Sequence, residues 1–309
     1  LLGLDPPVFT INVRAVTRKY VLIVFFLTLL VGAMILGPLL YFALVNIWPI
    51  PFHRAMDRAL MISAIATLGL FWSRFPLREL WPLTGRAWKD LLLGYFIAAV
   101  SIQAIIGADL ALAGFTSAHL NGGQMAGRVA LALVAALLVP PLEETVFRGF
   151  LQRELVQGLG WSAGWLLAGA IFMLAHFLKV PVELDREPVH IWSGVTAIGT
   201  AFSNLGHNLV LPENIGKAAN LFLIGLILGG IFLRTGTLWM NAGLHGGWVF
   251  GLLLFTGLTR PNIPPYVSFF GGDILAVPST TLVLLLVGIW LWRFYRHPSV
   301  LPETGGSAP

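Results

Sequence analysis

The sequence predicts an all-α fold: a polytopic membrane bundle of about eight transmembrane helices, with both termini in the cytoplasm. Three observations carry this: the composition, the apolar segments, and the placement of basic residues. Hydrophobic types make up 57% of the 309 residues and charged types 11%, against roughly 25% charged in a soluble domain. Such a chain cannot cover a water-facing surface of its own. This excludes an ordinary cytosolic enzyme, a disordered chain and a nucleic-acid module. The net charge of +5 does not reverse that reading, because the basic residues are scattered through connections and form no stripe. With no cysteine in the chain, a disulfide framework, a thiol nucleophile and a Cys-based metal site are all ruled out. The 34 glycines and 19 prolines suit packed, kinked membrane helices.

A membrane-spanning helix needs roughly 20 mostly apolar residues. Eight segments qualify in order along the chain: 20–45, 56–72, 91–115, 129–150, 161–178, 219–233, 237–258 and 280–295. The second, sixth and eighth are short. Basic residues concentrate on the cytoplasmic side of membrane proteins. With the N-terminus inside, Arg14, Arg18, Lys19, Arg74, Arg78, Arg86, Lys89, Arg148, Arg153, Arg234, Arg293 and Arg296 fall inside, or at the inner ends of spans. Arg54, Arg58, Arg128, Lys179, Arg186, Lys217 and Arg260 fall outside. The balance of 12 to 7 places both termini in the cytoplasm, although Arg148 belongs to the bilayer itself more than to a loop. The whole chain, 1–309, reads as one integral-membrane domain.

The longest connection, 179–217, holds Glu183, Asp185, Arg186 and Glu187, followed by a weakly apolar stretch at 191–203. That stretch is too short to span easily and reads as an interfacial or re-entrant helix; a long connection of this kind is either a lid or an idle insertion. The polar tail contains Leu301-Pro302-Glu303-Thr304-Gly305-Gly306. It matches a sortase recognition string without the apolar anchor that a sorting signal needs, and reads as a polar tail.

Ionisable residues within a span are costly, about 2.5–3.5 kcal/mol each at a helix centre, so each calls for a reason. Span four carries Pro140-Pro141-Leu142-Glu143-Glu144 and then Arg148. Adjacent residues point about 100° apart on a helix, so the two carboxylates serve different faces. Glu144 and Arg148, four apart, can pair; Glu143 is left turned elsewhere. The two prolines predict a kink or a fresh helix start just before the carboxylates. Span five carries Phe172…His176, and span seven Asn241…His245 among Gly243, Gly246 and Gly247. Taken singly, each His reads as a helix-packing residue, whereas the Glu–Arg pair reads as functional sooner than as a cluster at the membrane surface. Together, a Glu and two His from three helices can converge in a bundle core. A Glu with an adjacent His can activate water, and a second His can donate to an oxyanion. The same trio, Glu143, His176 and His245, could also hold Zn²⁺ with one open position, although no HExxH string is present.

At these residues the chain resembles the CPBP family of intramembrane proteases (the CAAX-protease and bacteriocin-processing family, also called Abi). The family pattern is EExxxR, then FxxxH, then a His on a later helix. Here these are Glu143-Glu144…Arg148, Phe172…His176, and His245. The resemblance implies that Glu143 is the general base, His176 its partner and His245 the oxyanion stabiliser. Glu144 and Arg148 would orient the site, and Phe172 and Asn241 would support it. It admits a metalloprotease or a metal-free reading; the metal-free one is favoured and requires no cofactor. One departure stands out. The family often has Asn or Asp four residues after the last His, where this chain has Val249. Asn241, or a backbone N–H beside Gly246, is the candidate substitute.

Among the remaining polar residues, Asp109 and Gln103 in span three read as packing or interface residues. His119, His190 and His207 read as solvated in connections, and His53 and His297 as interfacial. The function expected is a multi-pass membrane endopeptidase, in the cell membrane if the source is bacterial. Its partners would be the bilayer and a lipidated, prenylated or otherwise membrane-anchored protein, or a sorting or leader peptide, and not nucleic acid. The rival readings are a non-enzymatic membrane scaffold that keeps the fold, and a proton-coupled transporter using the same ionisable residues. No convincing internal repeat favours the transporter.

Overall fold

The structure, a computed structural model, describes residues 13–48, 50–70, 77–111, 115–261 and 273–295, leaving aside the side chains of 13–19, 108–115 and 261. Arg74, Arg296, His297 and the 301–306 string lie outside the described residues, as do the side chains of Arg14, Arg18, Lys19 and Asp109. The chain runs through α1 (Val13–Leu44), α2 (Phe52–Leu70), the short α3 (Leu77–Leu80) and α4 (Gly85–Ala111). α5 (Gly122–Glu144) then continues through a π-helical stretch, Thr145–Gln152, into α6 (Arg153–Leu159). α7 (Trp161–Phe177) is followed by a 3₁₀ turn at Val182–Arg186. The chain then forms α8 (Ser193–Val210), α9 (Pro212–Thr235), α10 (Trp239–Leu258) and α11 (Pro278–Phe294). Strands β1 (Phe115–Ser117) and β2 (Thr259–Pro261) form one antiparallel pair.

Each of the eight apolar segments read from the sequence falls on a helix. By length and composition five stretches are suited to cross a membrane: Tyr20–Leu44, Gly85–Gly107, Gly122–Leu159, Trp161–Arg186 and Pro212–Thr235. α11 is a shorter apolar helix. α2 is diluted by His53, Arg54, Asp57 and Arg58 in its first two turns, and α10 by Asn241, His245 and its glycines.

Local signals explain several boundaries. α5 starts seven residues earlier than span four predicts, because Asn121 and Gln124 form a capping box: Asn121 Oδ1 accepts from the Gln124 N–H at 2.9 Å, and Gln124 Oε1 from the Asn121 N–H at 3.0 Å. α9 also starts early, with Pro212 in its first turn, where a missing N–H costs nothing. Gly236, in the left-handed region at φ 68°, ends α9 and turns the chain into α10.

Cross-helix contacts fix the order of the ends. In the first turn of α7, Trp165 Nε1 donates to the Leu226 carbonyl of α9 at 2.9 Å. Arg234 at the end of α9 donates to carbonyls at the end of α11. The Leu238 N–H reaches the Leu80 carbonyl, and Trp239 Nε1 the Pro82 carbonyl, both at 2.9 Å. These contacts gather α3 and the beginnings of α4, α7 and α10 at one end of the bundle, with the last turns of α9 and α11. At the opposite end, His53 binds Asp185 through both its backbone N–H (2.9 Å) and Nδ1 (2.5 Å), and Lys217 pairs with Asp273 at 2.5 Å. α8 therefore leaves from and returns to this second end. It packs its Gly194, Ala197, Ile198 and Ala201 inward, with Gly194 against the α1 backbone at Met34, without traversing the bundle.

Two expectations are corrected. α5 is unbroken through Pro140 and Pro141, and no helix starts there; the departure from α-helical bonding comes after Glu144. His207, expected in a connection, is on α8. His53, in the first turn of α2, is half-buried and tied to the 3₁₀ turn.

The central contact is α4 against α10, made by small residues. A methyl group on Gly94 would sit 2.5 Å from the Met240 carbonyl oxygen and 2.7 Å from the Leu244 nitrogen. On Gly243 it would strike the Leu91 carbonyl, on Gly247 the Ala98 methyl, and on Gly251 it would lie 2.7 Å from Ile102. Glycines four apart thus let two backbones touch, which holds residues 240–248 of α10 entirely inside. Overpacking a tight contact costs about 1–3 kcal/mol. Gly243→Ala should therefore lower the thermal midpoint of the detergent-solubilised chain clearly, while Gly107→Ala on α4, where a Cβ meets nothing within 4 Å, should leave it unchanged.

Candidate active site

The site starts where α5 gives way to the π-helical stretch. Thr145 lies one turn beyond Pro141: its hydroxyl donates to the Pro141 carbonyl at 2.7 Å and its own oxygen accepts from Trp81 Nε1 at 3.2 Å. The widened turn that follows keeps Glu144, Arg148 and Gln152, each four residues apart, on one buried face. Two of them grip successive turns of α9. Arg148 Nη2 donates to the Gly225 carbonyl at 3.4 Å and Gln152 Nε2 to the Gly229 carbonyl at 2.9 Å. The π-helical stretch had no signature in the sequence. Such irregularities are frequent at functional sites.

Glu144 is fully buried and both its carboxylate oxygens are hydrogen-bonded. Oε1 accepts from Arg148 Nη1 at 3.1 Å and from His245 Nδ1 at 2.8 Å; Oε2 accepts from Asn241 Nδ2 at 3.0 Å. Arg148, itself 2% exposed, lays its guanidinium 4.3 Å from the centroid of the Phe172 ring, a cation–π contact whose strength grows with desolvation. Phe172 in turn meets His245 edge-on at 6.0 Å and His176 at 4.5 Å. One buried charge pair thereby organises all three motifs.

Glu143 points elsewhere, as its one-residue offset requires. Its side chain is 30% exposed, it lines a cavity, and its Oε2 is buried without a hydrogen-bond partner, 3.8 Å from His245 Nε2. The protons on the two imidazoles follow from their partners. A carbonyl can only accept, so His176 Nδ1 donates to the Phe172 carbonyl at 2.8 Å, leaving Nε2 as the acceptor of the neutral ring. His245 Nδ1 donates likewise to the Glu144 carboxylate, and its Nε2 faces Glu143.

Two cavities flank His176. The larger, about 570 Å³, lies between α1, α2, α5, α7 and α8, and its only polar lining residues are Glu143 and His176. The smaller, about 120 Å³, is lined by His176, His245 and Val249 among apolar residues of α4, α9, α10 and α11.

All seven residues named from the sequence (Glu143, Glu144, Arg148, Phe172, His176, Asn241 and His245) therefore lie in one cluster. Asn241 does not serve as the free donor expected in place of the residue at 249. Its Nδ2 is committed to Glu144 Oε2 and to the Leu228 carbonyl (2.7 Å), so it positions Glu144. Gln152 was missed, although the four-residue spacing Glu144–Arg148–Gln152 within an apolar run was its signal. Gln103 is exposed on α4 and stands apart from the site. No group of three His, Asp or Glu side chains among the described residues is arranged to hold a metal ion. The Zn²⁺ alternative on Glu143, His176 and His245 therefore finds no ready-made ligand set, and no step below is routed through a metal.

Residues 125–251 match the model of the family described as Type II CAAX prenyl endopeptidase Rce1-like. The matched stretch contains all three motifs, agrees with the resemblance to CPBP proteases, and implies a membrane peptide hydrolase. No curated protein and no solved structure matches the chain.

Removing one partner of a buried ion pair costs about 3–5 kcal/mol, because it strands the other charge. Arg148→Met should therefore lower the thermal midpoint steeply. Adding Glu144→Gln to that variant should recover part of the loss, and the double-mutant cycle of melting curves measures the coupling.

Proposed function

We propose that the protein is an intramembrane endopeptidase in which Glu143 activates a water for attack on a peptide bond. One observation carries this reading. Of two adjacent carboxylates, Glu144 is fully buried with both oxygens hydrogen-bonded, while Glu143 reaches a cavity and keeps a buried oxygen without a partner beside His245. A general base needs an accessible lone pair within hydrogen-bond reach of the attacking water, and Glu143 has one.

The chemistry follows from the side chains present. A water between Glu143 and His176 gives one hydrogen bond to the Glu143 carboxylate and one to the bare Nε2 of His176. As its oxygen attacks the scissile carbonyl carbon, a proton passes to Glu143 and the carbonyl oxygen becomes an oxyanion. His245 stabilises that oxyanion through Nε2–H. Because its Nδ1–H is held by Glu144, His245 does so only when it carries both protons, with Glu144 Oε1 2.8 Å from Nδ1 and Glu143 Oε2 3.8 Å from Nε2. Glu143 then delivers its proton to the leaving amine as the C–N bond breaks. Val249 supplies no second donor, so His245 bears the oxyanion without a polar residue one turn further on.

The large apolar cavity suits a substrate that arrives from the bilayer: a protein carrying a lipid or prenyl group, or an anchored sorting or leader peptide. The matched family's description names prenyl endopeptidases, in keeping with such a substrate. The order of helix ends supports eight crossings by α1, α2, α4, α5–α6, α7, α9, α10 and α11, with α8 remaining on one side. The excess of basic residues then places both termini in the cytoplasm.

Glu143→Gln should abolish cleavage of a lipidated reporter peptide in proteoliposomes, a loss of about 10²–10⁴-fold or more for removal of a general base, without lowering the thermal midpoint. The same assay after exhaustive chelation should retain full activity. Undiminished cleavage by Glu143→Gln would sink Glu143 as the general base, and absence of cleavage by the unsubstituted protein would leave the scaffold reading. The absence of cysteine permits a clean topology test. In intact cells a membrane-impermeant thiol reagent should modify Glu187→Cys and spare Leu83→Cys.

A further inference from the structure

A third cavity, about 400 Å³, lies away from the site, between α7, α9 and α11. Its walls are apolar residues such as Leu226, Ile227, Leu285 and Ile289. At one end it is framed by Trp161, Trp165, Trp292 and Tyr295, with Arg234 and Arg293 as its only charged residues. That end is where the first turn of α7 meets the last turns of α9 and α11. The rings are ordered: Trp165 stacks on Trp292 at 6.1 Å and 22°, and Trp161 lies 5.5 Å from Trp165. Arg234 sits 3.5 Å from the centroid of the Trp292 ring, and its Nη1 donates to the carbonyls of Trp292 (3.0 Å) and Tyr295. This binding caps α11, and it also fixes the cation in place. Both hydrogen bonds fall on Nη1, so Nε and Nη2 remain to be used, and Arg293 beside it is exposed.

We propose that this groove is a binding site for an anionic phospholipid, one acyl chain lying between α9 and α11 and the phosphate headgroup held by Arg234 and Arg293. Three features select that occupant. The walls belong to α7 and α9, which are long and apolar enough to cross a membrane, and to the shorter apolar α11, on which Ile289 is 52% exposed, so the groove opens to lipid. The tryptophans and tyrosine mark the headgroup level, where amphipathic rings reside. Among the described residues that line the groove, two are cations and none is an anion, which is complementary to a phosphate and indifferent to an apolar peptide. A neutral lipid would fill the same space, but would leave the guanidinium hydrogens of Arg234 to water.

The test uses the full chain in nanodiscs of zwitterionic phosphatidylcholine containing a small fraction of acyl-brominated lipid, which quenches tryptophan on contact. Brominated phosphatidylglycerol should quench more than brominated phosphatidylcholine at the same fraction. Gly230→Leu should abolish that excess: it fills the groove yet leaves every hydrogen bond intact, since a Cβ there meets the Trp165 and Trp292 rings only at 3.8 Å. Arg293→Gln, on an exposed side chain, should weaken the preference roughly fivefold, the contribution of one basic residue near an anionic headgroup. Equal quenching by the two lipids would overturn the proposal, as would an excess that persists in Gly230→Leu. Neither variant touches the residues around Glu143, so cleavage activity should be retained in both.

Discussion

Everything in the site depends on keeping one carboxylate charged where there is no water. Glu144 is wholly inside the bundle, and an ionised carboxylate there is tolerable only if its oxygens are fully hydrogen-bonded and its charge is matched. Arg148 supplies the charge, His245 and Asn241 the remaining hydrogen bonds, and Phe172 covers the guanidinium. Each of those residues comes from a different turn or helix. The demand of a single buried charge thus dictates the relative placement of α5, α7 and α10. It also places His245 Nε2 beside Glu143.

The neighbouring glutamate shows what this arrangement frees. Glu143 and Glu144 are chemically identical and adjacent, and their roles are divided by the roughly 100° between successive residues of a helix. One faces the polar partners and is locked. The other faces a cavity and retains an uncommitted oxygen. A locked carboxylate and an uncommitted one are therefore made from a dipeptide by geometry alone. The Glu144–His245 hydrogen bond connects them, because it fixes which nitrogen of His245 is turned toward Glu143.

Much of this was legible in the sequence, for reasons that can be stated. Apolar segments long enough to cross a bilayer located the helices, because few other uses exist for 20 such residues. The i, i+4 spacing of Glu144 and Arg148 gave their pairing, and the scarcity of intramembrane charge singled out the His residues. The parts that were not legible depend on hydrogen bonds made in three dimensions. Pro140 and Pro141 suggested a new helix start, but α5 passes through both, and the irregularity is displaced beyond Glu144. Asn241 read as a free donor because its partner carbonyl, Leu228, is on another helix. The role of the glycines around His245 was not legible either: Gly243 and Gly247 serve close helix approach, since a Cβ on the first would strike the Leu91 carbonyl of α4 and one on the second the Ala98 methyl.

The lining of the large cavity separates chemistry from fit. Phe26, Leu29 and Leu30 of α1, Leu60, Met61 and Ala64 of α2, and Phe202 and Leu205 of α8 form one wall, and all are apolar side chains with no hydrogen bond to a reactive group. The opposite wall, on α5 and α7, carries Glu143 and His176 and is braced by α9 and α10. Mutational drift on the first wall can therefore reshape the space offered to a substrate without disturbing the protons of the second. If Glu143 and His176 act as proposed, a lineage of such proteins could change what it accepts by resizing a few leucines while that pair stayed the same.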